Sequence, residues 1–191
     1  LGGVIWQFYQ KTIITEFEPA SVNKMAFPLP EKPSIAVLPF VNMSEDSNQE
    51  YLSDGITEQI ISTLSKVPSM FVIARTSTFA YKNKPVKVQQ VSQDLGVRYV
   101  LEGSVQRSGD RVRITAQLID AIDGKHIWAQ RYDRDATDLL ALQDDVRGQI
   151  VSALQVRFSP EEAEIISKSK TDNPKAYDAY LRARQQESYF T

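Results

Sequence analysis

Hydrophobic positions change their period several times along this chain. Residues 34–40 read Ser-Ile-Ala-Val-Leu-Pro-Phe. They are apolar on both faces, with β-branched Ile35 and Val37, which predicts a short strand covered on both sides. A polar, turn-like stretch fills 42–49. Over 53–66 the period becomes helical. Ile56, Ile60, Leu64 and the following Val67 fall on one face, Ser53 or Asp54 is placed to cap, and Pro68 ends the run. Residues 70–74 give a second apolar strand, and strand–helix–strand at this spacing implies a right-handed parallel crossover. A weaker helix is predicted over 86–95. Its apolar side carries Val88, Val91 and Leu95, and Gly96 suits a left-handed C-terminal residue.

Beyond Gly96 the period drops to two. Val97, Tyr99, Leu101 and Val105 alternate with Arg98, Glu102 and Gln106. Val112, Ile114, Ala116 and Leu118 alternate with Arg113, Thr115 and Gln117. Ser108-Gly109-Asp110 and Asp123-Gly124 are hairpin signals, so a three-strand meander is predicted, ending with a strand over 125–132. A long amphipathic helix follows over 138–158, with Leu139, Leu142, Val146, Ile150 and Leu154 on its apolar face. Ser159-Pro160-Glu161-Glu162 opens a short charged helix. Over 173–184, Tyr177, Tyr180, Leu181 and Arg184 have helical spacing. One such helix cannot bury its apolar face alone, so it reads as the first helix of a repeat that continues past Thr191.

The fold class expected is therefore α/β: a mixed sheet of about five strands in the order β-α-β-α-β-β-β-α with helices packed on it, then the start of a helical repeat. The division expected is an apolar segment at 1–14, a Pro-rich linker at 15–32, an α/β domain at 33–158 and a helical stretch at 159–191. Pro19, Pro28, Pro30 and Pro33 favour an extended path through the linker. The first segment, Leu-Gly-Gly-Val-Ile-Trp-Gln-Phe-Tyr, begins without Met, which suggests a fragment. It is too short to span a bilayer. It fits the last turns of a membrane helix with Trp6, Phe8 and Tyr9 near the interface, or an apolar arm packed on the domain or a partner.

Composition narrows the function classes. Of 191 residues 42% are hydrophobic and 24% charged, and the net charge is −2. No basic stripe is present of the kind that phosphate backbones require, so nucleic-acid binding is not expected. The chain has no cysteine and one histidine. That removes disulfides, thiol nucleophiles and iron–sulfur clusters, and His126 alone cannot build a zinc site. It reads as a strand histidine near a hairpin, since nothing resembles a nucleophile elbow. Asp46-Ser47-Asn48-Gln49-Glu50 has the look of a calcium loop, but Tyr51 stands where glycine is needed and Thr57 where the twelfth ligand belongs, so the match fails. Neither a dinucleotide fingerprint nor a triphosphate loop occurs. No catalytic residue, metal site or cofactor is expected.

Site geometry is expected in one place, the crevice at the carboxyl ends of the two parallel strands. Asn42, Ser44, the helix start at Asp54-Gly55, and Arg75 with Ser77 should lie there. Arg75 facing helix amides would suit a small polar or anionic ligand. The plainer account is an Arg75–Asp54 ion pair pinning strand to helix, and the residues favour it. Arg131, in the run Arg-Tyr-Asp-Arg-Asp at 131–135, marks either a partner-docking edge or a solvated strand end with local ion pairs.

The segments Pro33–Phe40 and Tyr51–Gly55, together with Val72-Ile73-Ala74-Arg75, Tyr81-Lys82, 95–105 and Gly124-Lys125-His126-Ile127-Trp128-Ala129, resemble the TolB-N-like (FlgO-related) module of bacterial membrane proteins. The resemblance covers 32–158. A departure is that Lys125 and Ile127 flank His126 where Gly-His-Leu-Trp is common. Residues 18–30 resemble the linker that precedes this module, and 173–190 resemble the start of a tetratricopeptide-repeat array. The resemblance implies an upstream transmembrane helix, a class III adenylate/guanylate cyclase or winged-helix domain before it, and repeats afterwards. It implies no catalytic residue within the module. The expected function is a non-catalytic sensory or protein-interaction module of a protein anchored in the inner membrane, with the module in the periplasm and protein partners on the repeats. The alternatives are a regulatory part of such a cyclase and a stand-alone envelope scaffold.

Overall fold

The computed structural model describes residues 18–135, with residues 145, 148, 149, 152, 179, 182 and 183 beyond them. The expected apolar segment at 1–14, and most of the helices expected at 138–158, 161 onward and 173–184, lie outside the described residues.

Nine strands and α-helices lie among the described residues, besides two short 3₁₀ turns. They are β1 (Ser34–Val37), β2 (Val41–Asn42), α1 (Glu50–Leu64), β3 (Phe71–Val72), α2 (Arg75–Phe79), α3 (Val88–Leu95), β4 (Tyr99–Ser108), β5 (Arg111–Asp120) and β6 (Lys125–Asp135). The sheet is mixed, in the order β3-β1-β4-β5-β6, with β2 also on β4. Strands β1 and β3 are parallel, as are β1 and β4, while β4, β5 and β6 run antiparallel. The α/β expectation holds, with six strands where about five were read.

The added strand has a physical cause. Pro39 has no N–H to give to a ladder, so β1 stops at Val37 and pairing resumes at Val41. Val37 faces Leu101, but Val41 faces Ser104, so the interruption loops out one residue. The detour turns the Phe40 N–H inward. It donates to Thr57 Oγ1 at 3.0 Å, and Thr57 donates to the Ser53 carbonyl at 2.8 Å. Thr57 is fully buried, so Thr57→Val keeps the shape but strands the Phe40 N–H. A loss of about 2 kcal/mol is expected, read as a lower urea midpoint at unchanged slope.

Alternation within β1 feeds two cores. Ile35 and Val37 join Phe40, Ile56, Ile60, Leu64, Leu101, Val105, Ile114 and Leu118 under α1. Ala36 and Leu38 face the other way and join Val88, Val91, Val97, Val100 and Ile119 under α3. The strand is thus covered on both faces, as its sequence suggests. Gly96 closes α3 at φ 64° with the Phe27 backbone packed on it. A side chain there would be strained and would collide with Phe27.

Element limits shift in three places. Helix α1 begins at Glu50, not 53, because Ser47–Gln49 already forms a 3₁₀ turn that runs into it. Asp46 caps that turn, its Oδ1 accepting from the Asn48 N–H at 2.9 Å. Neither Ser53 nor Asp54 is the cap: Ser53 Oγ donates back to the Glu50 carbonyl inside the helix. Strand β3 is only Phe71–Val72, shorter than the expected 70–74, and Arg75–Phe79 is a short helix. Strand β6 extends to Asp135, held by Arg113–Asp133 at 2.7 Å and Arg111–Asp135 at 3.2 Å across the ladder.

Candidate functional site

The early start of α1 decides what faces the crevice. Glu50, Asp54 and Glu58 recur every four residues and so form one acidic stripe along the helix. Against it lie α2 and the turn after it. Lys82 Nζ reaches Asp54 Oδ2 at 2.6 Å and Glu50 Oε1 at 3.0 Å. Arg75 Nε lies 3.6 Å from Glu58 Oε2, and its guanidinium sits 3.9 Å from the Phe79 ring centre.

The expected Arg75–Asp54 ion pair is therefore replaced by two others. Moving the helix start up three residues places Glu58 beside Arg75 and leaves Asp54 to Lys82. Gly55 lies within α1, away from its free amides, so the geometry expected of an anion site at a helix start is not formed there. Ser77 is exposed on α2. Arg131 is exposed on the edge strand, with its Nε 3.2 Å from Asp133 Oδ2. Asn42 and Ser44 do not join Arg75. They organise the loop before α1 and attach it to β4.

Burial pushes the Asp54 carboxyl above its ordinary value. Neighbouring Glu50 adds to this, while the Lys82 hydrogen bond and charge oppose it. Asp54 Oδ1 is buried without a hydrogen-bond partner, which fits that direction. Burial alone would lower the Lys82 ammonium, but its hydrogen bonds to Asp54 and Glu50 prevail and raise it. The crevice thus holds a part-buried ion cluster that ties α1 to the segment after α2. Chemically it is a clamp, since its one lysine is kept charged and holds one oxygen each of Glu50 and Asp54.

Two other polar places stand out. At the far end of the sheet, the buried Asp120 accepts from Arg98 at 2.7 Å, and its other oxygen accepts from the N–H groups of Ile122 and Asp123. This fixes the turn from β5 to β6. On the face opposite α1, a groove of about 540 Å³ runs between Leu38, Val41, Tyr81 and Glu102. Its Gln117 Nε2 donates to Glu102 Oε1. Among the described residues, no group of His, Asp and Glu side chains is placed to hold a metal ion.

A mixed sheet with helices packed on it and a clamped crevice defines a compact α/β module. A family model described as HilA/YgeH-like transcriptional regulator, second domain, matches residues 31–152. The chain belongs to this family. It is also 57% identical over 158 residues to a Rhizobium meliloti (strain 1021) protein named "Putative adenylate cyclase 3". That match covers 82% of this chain and 27% of the relative, so the chain spans about a quarter of that protein. Among solved structures, TolB from Acinetobacter baumannii is similar at a TM-score of 0.49 and 20% identity, over 68% of this chain and 30% of that one. Lipoprotein GNA1162 from Neisseria meningitidis is similar at 0.47 and 24%, over 63% of this chain and 98% of that one.

Proposed function

We propose that this chain is the non-catalytic sensory and protein-interaction module of a membrane-anchored bacterial signalling protein. In this reading the module faces the periplasm and helical repeats follow it. One observation carries the reading. The same module is shared with a family described by transcriptional regulation and with a relative named for cyclic-nucleotide synthesis. Those outputs need unrelated chemistry, so what the shared module contributes is input. The clamped crevice agrees, because Lys82, Asp54 and Glu50 are spent on one another.

A second reading makes the module the regulatory part of a class III adenylate/guanylate cyclase whose catalytic domain lies elsewhere in the parent protein. The 57% identity favours it. Cyclic-nucleotide assays separate the possibilities. The purified chain is expected to turn over neither ATP nor GTP, and product from the chain alone sinks the sensory reading. In the parent protein, deletion of 31–158 is expected to change output without abolishing it in the cyclase case. Unchanged output would leave the scaffold role, with protein partners bound through the repeats.

A further inference from the structure

The Pro-rich stretch ahead of β1 is attached to the domain at four points. Ala20 is buried in the core under α3, and its N–H donates to the Ala121 carbonyl at 2.7 Å. Ala121 in turn donates its own N–H to the Arg98 carbonyl at 2.9 Å, so this first anchor sits where β5 turns into β6. A 3₁₀ turn at Val22–Lys24 follows. Ala26 then donates its N–H to the Gln93 carbonyl of α3 at 2.8 Å. The Phe27 backbone packs on Gly96, so closely that a side chain at 96 would collide with it. Last, Lys32 Nζ donates to the Pro68 carbonyl at 2.6 Å, just before β1 opens at Ser34. Pro19, Pro28, Pro30 and Pro33 fix φ in the unfolded chain too, which lowers the entropy lost when this path is ordered.

The third of these elements, α3, leads further inward. Next to Gln93, Asp94 accepts from Tyr81 Oη at 3.0 Å and from Gln90 Nε2 at 2.6 Å. Burial, and then the bond to Asp94, push the Tyr81 phenol up to about 12, so it stays a donor at neutral pH. Tyr81 is followed in the chain by Lys82, the cation that holds Glu50 and Asp54 of α1. Each step from Ala26 to α1 is thus a hydrogen bond, an ion pair or a covalent neighbour. Such contiguous contacts are the physical means by which two distant places in a fold can influence each other.

We propose that residues 18–33 form a strap fixed to the module, and that displacement of the chain before it reaches α1 through Ala26, α3, Tyr81 and Lys82. A slack linker absorbs such a displacement. A bonded strap passes it to the elements that hold it. The ion clamp in the crevice then has a use beyond stability, because it is the far end of this route. Coupling between two places is reciprocal, so a change at α1 alters the hold on the strap by the same free energy. Only the use of the strap in signalling rests on the sensory reading; its attachment and its coupling to α1 are measured on this chain, apart from any output.

The test follows backbone amide exchange and shifts of the full chain by NMR. The Ala20 and Ala26 amides are expected to exchange roughly 100-fold or more slowly than in a free peptide. Exchange at free-peptide rates makes the stretch a linker and overturns the proposal. Tyr81→Phe removes only the hydroxyl that bonds Asp94. It should speed Ala26 exchange roughly fivefold, while Ala20, anchored on the β5–β6 turn, changes much less. General destabilisation speeds both alike, so an equal effect on the two, or none, overturns the route. From the other end, Ala26→Pro removes the N–H given to Gln93. Met25 already has the extended backbone that a following proline needs, at φ −70° and ψ 136°. Amide shifts should then move at Asp94, Tyr81, Lys82 and Asp54, while Arg131 on β6, off the route, keeps its own. Shifts that end at Asp94 overturn the route even with the strap attached. Should Ala26→Pro fail to fold, the Tyr81→Phe comparison decides.

Discussion

Gly103→Ala is expected to cost about 3 kcal/mol of folding stability. Gly103 lies in β4, opposite Ala116 of β5. A Cβ there would press into the Thr115 carbonyl oxygen and stand 2.7 Å from the Phe40 ring. The ring cannot retreat, because Phe40 is buried in the main core and its own N–H is tied to Thr57. The carbonyl belongs to a paired strand, so moving it strains the β4–β5 ladder. Denaturant unfolding should show a lower midpoint at unchanged slope. Adding Phe40→Leu to the variant removes the ring contact only, so partial recovery is expected. Full recovery would mean that the Thr115 contact costs nothing, and a loss below about 1 kcal/mol would mean that β5 adjusts freely.

This glycine shows where sequence reading reaches its limit. The period of two through 97–106 locates the strand and its buried positions, and Tyr99, Leu101 and Val105 all face the core under α1. The same pattern gives no sign that Phe40, sixty residues earlier in reading order, fills the place of the missing side chain. The crossover and the meander were legible because each depends on local period and turn chemistry: Gly96, Gly109 and Gly124 all take positive φ where the chain turns. Helix α1 was legible on its apolar face, with Ile56 and Ile60 buried, but not at its start. There the 3₁₀ turn from Ser47 to Gln49 competes with the cap that Ser53 or Asp54 would provide.

The candidate site suffered from the same three-residue shift. Reading the helix from residue 53 put Asp54 and Gly55 at its open amides and paired Asp54 with Arg75. The spacing of Glu50, Asp54 and Glu58 was the available signal for a longer helix with an acidic stripe. Lys82 carries no such signal, since a lysine in a turn has no pattern that aims it at a helix packed beside it. Asn42 and Ser44 were expected beside Arg75 in the crevice, yet the bonds they make hold a loop against Arg107. Arg182 could not have been paired with Tyr51 at all, because a contact across 131 residues leaves no trace in local periodicity.

Lys82→Met is expected to destabilise the domain by about 2 kcal/mol near neutral pH, with a pH dependence that identifies the cause. The substitution leaves Glu50 and Asp54 facing each other without their shared cation. Asp54 is already held above 3.8, by burial first, and loss of Lys82 raises it further. A carboxyl raised on folding favours the folded state only while protonated. Its contribution is whole below the unfolded value and is lost as pH rises through the folded one. The deficit of the variant should thus be greatest at neutral pH and shrink as pH falls through the raised Asp54 value. Lys82 acts at the other end: its ammonium is raised above 10.5, so the stabilisation it brings is present below that value and is lost as pH rises through its folded value. The stability difference between the two proteins should form a plateau around neutrality that declines on both sides. Asp54→Asn in the Lys82→Met background removes the buried carboxylate and should restore most of the loss at neutral pH. A deficit that stays constant from neutral pH down through the Asp54 titration would assign the effect to packing of the Lys82 stem near Phe79, and the ion clamp would then contribute nothing to holding α1 in place.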